Sequence, residues 1–297
     1  SPLIKKCMRY PVVGVDNKET FTYTNCEETK KPLSFGCEHY SLILSSYFAK
    51  DMVDKKNIKL ELVYKLFAES NRCVKYAKVI KANTRDINPF EFIEVRTINM
   101  SKDLDRWLKM KEMFDKYGIK CNRFPAIRNK NGWGGSTVSH RQCVVEAKEQ
   151  NKPKVLIFED DVYFLYPKNQ VWESVRNIIG LDYDIAYLGC TLLEPAPMIP
   201  QTNNIYKVNK CWGVWAYIVD QSIYNEFIDL LPSDPTIVSR EKRNISDVLV
   251  HDFILPRGRC ILTPIMSSYD GYSYNWSCQR TDTQNMIDSA YKKYLEK

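Results

Sequence analysis

The residues best equipped for chemistry stand together at Glu159, Asp160 and Asp161, directly after the apolar run Val155 to Phe158. That run reads as a buried strand. Three adjacent carboxylates at its end repel one another and are costly to desolvate unless a cation sits among them. In an open α/β sheet, the carboxyl end of a strand is also where ligands bind. Hard oxygen ligands there suit Mg²⁺ or Mn²⁺ carrying a substrate's phosphates. The competing reading is a solvated acidic turn after a core strand. Histidines occur only at 39, 140 and 251. His39 has no partner at ligand spacing and reads as surface or structural. His251 precedes Asp252 and follows Asp247 by one helical turn, so Asp247 has a capping or salt-bridge reading as well. A second D-x-D, Asp182 and Asp184, precedes its strand instead of ending it and reads as structural.

The elements that must position these residues alternate strand and helix from Phe90 onward, which is the pattern of an α/β domain. Strands are expected at Phe92–Asn99, Ile119–Phe124, Val155–Phe158, Tyr183–Leu188, Gly213–Val219 and Arg259–Pro264. Helices are expected at Asp103–Tyr117, Ser136–Gln150, Val171–Ile179, Gln221–Leu231, Ile245–Leu255 and Thr283–Leu295. In the first helix, Leu104, Trp107, Leu108, Lys111 and Phe114 share one side, with Gly118 as the stop. A Gly/Asn-rich loop, Asn129 to Gly135, feeds the second. Residues 1–88 read differently, as short strands and turns to about 40 and mixed segments to 82. They form an N-terminal accessory α+β region without readable chemistry, and Asn88–Pro89 marks the boundary with a domain at 89–297.

The segments FIEVRTINM–SKDLDR, GGSTVSH, VLIFEDDV, YDIAYLG, GVWAYIV and VHDFI follow in this order between Phe92 and Ile254. In that order they resemble glycosyltransferase family 25, the lipooligosaccharide and procollagen galactosyltransferases, over about residues 92–270. The resemblance implies a GT-A type fold, a Rossmann-like mixed sheet flanked by helices. It also implies inverting transfer of a hexose, galactose or glucose first, from a UDP-sugar to a hydroxyl of a glycan or hydroxylysine-type acceptor with Mn²⁺ or Mg²⁺. On the matching positions, Asp160 and Asp161 become metal and ribose ligands, Asp161 before Asp160. Thr97, Asn99 and Arg106 fall where the family surrounds the nucleotide; a capping group and a solvated face are their plain alternatives. Ser139 and His140 lie in the first turns of a helix whose free N–H groups suit diphosphate or donor sugar, against an ordinary helix-surface histidine. Two departures stand out. Gly134–Gly135–Ser136 replaces the family's Gly-Cys, and His251 stands where the family has Asp. His251 or Asp252 is then the acceptor base, or His251 joins the metal. Trp133, Trp212 and Trp215 are acceptor-stacking candidates, with core packing as the alternative for Trp215.

Composition narrows the classes. The chain has 297 residues, 44% of them hydrophobic and 27% charged, with 11 Gly, which excludes disordered and collagen-like proteins. Of its +7 net charge, residues 1–91 hold most of the excess, 16 Lys/Arg against 11 Asp/Glu. That is too diffuse for a nucleic-acid footprint. A metal-dependent nuclease or phosphodiesterase would also need more clustered His and Asp than three histidines provide. A catalytically inactive GT-A-fold module that binds carbohydrate or nucleotide is the main alternative to an enzyme, and His251 is its support. The ten cysteines include no C-x-x-C, so zinc-ribbon spacing is absent. Their scatter leans to reduced, cytoplasmic thiols, with a secretory-pathway lumen as the alternative. No apolar run has membrane-spanning length. The chain begins with Ser1, as a piece of a longer protein would, so the lack of a visible targeting segment weighs little.

Overall fold

The computed structural model describes residues 88–200, 202–269 and 283–295, with the backbones of the short strands Val12–Val13, Thr20–Phe21, Gly271–Ser273 and Gln279–Thr281. Apart from Val12–Val13 and Thr20–Phe21, which pair antiparallel, the expectations for residues 1–87, His39 included, lie outside the described residues. The chain divides into one unit of residues 1–87 with 176–181 and another of 88–175 with 182–297. The second unit carries the site.

Asn88 opens it by capping a 3₁₀ turn, Pro89–Phe92: its side chain accepts from the Phe90 amide and donates to the Gly118 carbonyl. In chain order there follow β1 (Glu94–Asn99), α1 (Leu104–Tyr117), β2 (Asn122–Pro125), α2 (Gly132–Glu149), β3 (Lys154–Glu159) and β4 (Val162–Phe164). Next come α3 (Lys168–Ile179), β5 (Ile185–Tyr187), β6 (Tyr206–Val208), β7 (Ala216–Asp220) and α4 (Tyr224–Leu230). The last are α5 (Ser246–Leu249), which runs into a π turn at Val250–Ile254, then β8 (Cys260–Leu262), β9 (Met266–Ser268) and α6 (Thr283–Tyr294).

Seven strands form one mixed sheet in the order β2-β1-β3-β7-β5-β8-β6. β1 runs parallel to β2 and β3, and β5 parallel to β8, while β7 is antiparallel to both β3 and β5. This is the mixed, helix-flanked α/β sheet expected of a GT-A type domain. β3 is an inner strand, between β1 and β7, and Val155 to Phe158 are fully buried, each such side chain stabilising the fold by roughly 1.5–3 kcal/mol. Alternation along the strand gives each face its own helix. Phe158 meets Phe114 of α1, ring centroids 5.5 Å apart, whereas Ile157 joins Cys143, Val144 and Ala147 of α2 in the main core cluster. Buried Arg96 ties α2 to the sheet through Glu146 and Gln150.

Two expectations need correction. The buried residues of α1 are Met110, Phe114 and Tyr117, while Leu104 and Leu108 are 53% and 51% exposed; the i, i+4 pair of leucines sits on the solvent side of Phe114. The Gly/Asn loop is shorter than its composition suggests, because α2 begins at Gly132. Asn131 accepts from the Trp133 amide as N-cap, and the capped backbone carries the glycines into the first turns. Edge strand β6 and the antiparallel pair β4–β9 have no apolar run long enough to announce them. Asp184, expected to be structural, is buried and paired with Arg257 and Arg259.

Candidate active site

β1 and β3 are in register with Ile98 opposite Glu159, which brings Asn99 level with Asp160. Asn99 donates to the Asp160 carboxylate at 2.5 Å, and Arg106 of α1 donates to its other oxygen at 2.7 Å. Asn99 is held in turn by Arg123, whose Nε and Nη2 donate to its Oδ1 at 2.8 and 2.5 Å. Arg123 also reaches the Met100 and Ser101 carbonyls and lies over the Trp107 ring. Asp160 is thereby fixed from both sides.

Asp161 is placed by its backbone: its carbonyl accepts from the Tyr269 amide at 2.7 Å and the Ser268 hydroxyl at 3.2 Å, just after β9. Its side chain is 28% exposed and 3.8 Å from Arg106, and its buried Oδ1 has no hydrogen-bond partner among the described residues. Burial first, then Glu159 and Asp160, pushes Asp161 up to about 7. Burial, then Asp160, does the same to Glu159, also to about 7. Asp160 and Asp161 thus share the Arg106 guanidinium, and the buried Asp161 Oδ1 is left without a hydrogen-bond partner among the described residues. That donor set fits a hard divalent cation, which Asp161 and Asp160 would hold. Among the described residues no three His, Cys, Asp or Glu side chains are grouped to hold a metal. Such ions are commonly bound by one or two carboxylates, with substrate phosphates and water completing the shell.

The triplet opens into a cleft of about 360 Å³, within the range of small-molecule sites. The Ala126–Lys130 segment and the start of α2 at Gly132 and Ser136 line it too. Lys102, Arg106, Arg128 and Lys130 line it as well, so cationic side chains share the cleft with the acids, while the amides of Trp133, Gly134 and Gly135 are taken up by Asn131. The segment is strapped to α2: the Ser139 hydroxyl donates to the Gly135 carbonyl at 2.7 Å and accepts from the Ile127 amide at 2.8 Å. A Cβ at Gly135 would run into the Ile127 carbonyl. Gly135→Ala is therefore expected to cost about 1–3 kcal/mol by overpacking, measurable as a lower urea midpoint with an unchanged slope.

Of the sequence-derived candidates, Asp160, Asp161 and Arg106 line this cleft. Asn99 buttresses Asp160 from behind. Thr97 is fully buried with its hydroxyl 3.0 Å from Cys121 Sγ, and Ser139 is buried in its strap. His140 is fully buried between Tyr217 and Glu159. His251 and Asp252 form a separate pair. His251 Nδ1 is 2.9 Å from Asp252 Oδ1, Arg243 donates to Asp252 Oδ2 at 2.9 Å, and the imidazole stacks on Trp212 with centroids 4.4 Å apart. His251 Nε2 is buried without a partner among the described residues. Trp212 packs with Trp133 on Val238, Ile245 and Val248, and Trp133 adjoins the cleft-lining Gly132. Asp247 accepts from the Val214 amide at 3.0 Å.

No family model matches the chain. A curated protein described as a glycosyltransferase 25 family member, from Drosophila melanogaster, is 24% identical over 156 residues, covering 41% of this chain and 25% of that protein. The chain resembles glycosyltransferase family 25. It spans about a quarter of that relative's length. Among solved structures, a glycosyltransferase involved in glycosylation of the major capsid of PBCV-1 aligns with TM-score 0.37 at 14% identity, covering 58% of this chain and 81% of that one. A putative glucose-1-phosphate thymidylyltransferase from Bacillus anthracis aligns with TM-score 0.37 at 11% identity, covering 63% and 74%. A197 from STIV aligns with TM-score 0.36 at 12% identity, covering 60% and 84%. Likeness at that level supports no argument about this chain.

Sequence reasoning passed over Lys102, Arg128, Lys130 and Arg123. The readable signal for two of them is local: Arg128 and Lys130 bracket Asn129 just before a helix start, where anions are favoured. Arg123 gives none, since only the pairing of β1 with β2 carries it to Asn99. Among the described residues no helix is long and apolar enough to cross a membrane.

Proposed function

We propose that the cleft binds a UDP-sugar and that the chain transfers its hexose, galactose or glucose, with inversion, to a hydroxyl of a glycan or hydroxylysine-type acceptor. The observation that carries this reading is the meeting, in one cleft, of the acidic end of β3 with its unpartnered Asp161 oxygen, four cationic side chains and the start of a helix. Mn²⁺ or Mg²⁺ bound by Asp161 and Asp160 would offset the charge of the leaving diphosphate. Arg106, Lys102, Arg128 and Lys130 supply fixed positive charge to the same oxygens. Asn99 and Arg123 keep Asp160 in place, and the positive end of the α2 dipole favours the anion. On the acceptor side, His251 takes the proton of the attacking hydroxyl at Nε2, while Asp252 holds the ring through Nδ1. Trp212 and Trp133 offer the apolar faces on which an acceptor sugar would lie.

The deciding experiment is calorimetric titration of UDP and several UDP-hexoses with and without Mn²⁺. Binding that requires the metal is the expected result, with one UDP-hexose preferred. No binding of any nucleotide under either condition would sink the reading. His251 in place of the family's Asp favours a second reading, an inactive nucleotide- or carbohydrate-binding module, and metal-dependent binding without transfer or hydrolysis would select it.

A further inference from the structure

Glu159 is the carboxylate of the triplet with no role so far, and it is the one supported from the protein interior. It lines the cleft with its side chain 31% exposed, while His140 and Tyr217 behind it are fully buried. His140 Nε2 lies 3.3 Å from Glu159 Oε1, and His140 Nδ1 lies 2.9 Å from the Tyr217 hydroxyl. Burial pulls the imidazole down to about 4, so the ring is neutral and has one donor and one acceptor nitrogen. In the tautomer with its hydrogen on Nε2, the ring donates to Glu159 and the Tyr217 hydroxyl donates to Nδ1, which makes Glu159 the acceptor at the end of the chain. Every hydrogen of this chain points toward the cleft, and Glu159 is left with Oε2 for a ligand.

The surroundings say what kind of ligand group that is. Asp160 turns toward Asn99 and Arg106 on the β1 side, but the Glu159 amide donates to the Trp215 carbonyl on the β7 side. Buried Asp247 adds negative charge near both His140 and Glu159. An anion is repelled there, whereas a hydroxyl can donate a short, charge-assisted bond.

We propose that Glu159 accepts a hydroxyl of the transferred hexose and that His140 is its positioning residue. The assignment rests on the nucleotide-sugar reading of the cleft and adds a sugar subsite to it. The ribose and diphosphate stay with the cationic side chains, so the nucleotide alone is indifferent to Glu159.

Titrations in Mn²⁺ would compare UDP with the preferred UDP-hexose on wild type, Glu159→Gln, His140→Phe and His140→Gln, alongside thermal melts. Glu159→Gln and His140→Phe are expected to weaken UDP-hexose by about tenfold or more and UDP by less than about twofold, as for a site built around a substrate hydroxyl. His140→Gln keeps an N–H donor and should recover most of the loss. On the unmutated protein, a series of UDP-deoxyhexoses should contain one that loses a similar factor, a readout independent of folding in the variants. Equal weakening of UDP and UDP-hexose, unchanged UDP-hexose binding in Glu159→Gln, or indifference to every missing hydroxyl would each overturn the assignment. A wild-type protein that binds neither ligand overturns the parent reading first, and this one with it.

Discussion

Asp161→Asn is expected to abolish Mn²⁺-dependent UDP binding and to lower transfer on the order of 1,000-fold, several kcal/mol of lost charge stabilisation. The change keeps the shape of the side chain and the carbonyl that Tyr269 and Ser268 hold, so folding should survive it. What it removes is the charge that gives the orphaned oxygen its use. The same carboxyl sets a pH dependence. Burial and its acidic neighbours hold Asp161 at about 7, and Glu159 is held there too; at Asp161 a proton competes with the cation, so nucleotide affinity in Mn²⁺ should rise as pH passes upward through that region.

The sign for stability without metal is the reverse. In the unfolded chain these carboxyls titrate near about 4, so between there and about 7 the folded protein binds the more protons. Their stabilising contribution is full below the lower value and is lost as pH rises through the upper one. His140, lowered to about 4 by burial, contributes the opposite slope, losing stability as pH falls from about 6.5. Melts in chelator between pH 5 and 8 should therefore show a fall toward pH 8 that Mn²⁺ reverses, and Asp161→Asn should flatten the fall and abolish the metal effect. A mutant that still binds UDP only with Mn²⁺ would remove Asp161 from the metal site.

The second large effect is expected on the acceptor side. His251→Ala should lower kcat by about 100- to 10,000-fold, the range for a lost general base, with UDP affinity unchanged within about twofold. The reason for the separation is geometric. His251 does not line the donor cleft; it is paired with Asp252, stacked on Trp212, and carries a buried nitrogen with no partner among the described residues. Asp252→Asn should fall between wild type and His251→Ala, since it leaves the base in place but loosens its orientation. Kinetics with a hydroxyl acceptor, beside calorimetry on the same proteins, read both quantities. A loss of UDP binding equal to the loss of kcat would assign His251 to the metal or nucleotide instead. Unchanged kcat would leave the chemistry to another residue.

Much of this was legible in the sequence because it is local. The run Val155 to Phe158 ending in three acids declares a buried strand with a charged carboxyl end, and alternating strands and helices fix the class of sheet. Asp160, Asp161 and Arg106 could be named from their motifs and do line one cleft. Tertiary structure decided the rest, because burial and register are properties of pairing and not of composition. His140 and Ser139 look like helix-start residues facing an anion, yet packing against the sheet turns both inward, leaving Glu159 at the surface of the cleft. Thr97 and Asn99 are two residues apart on β1 and equally buried, and their different roles follow from what lies beside them: Cys121 against one, Asp160 and Arg123 against the other. Arg128 and Lys130 become part of a site only when α2 and its strap bring them into the same cleft as the acids. The order of residues determined which side chains were available for chemistry; the β1–β3 register and the packing of α2 decided which of them face the same space.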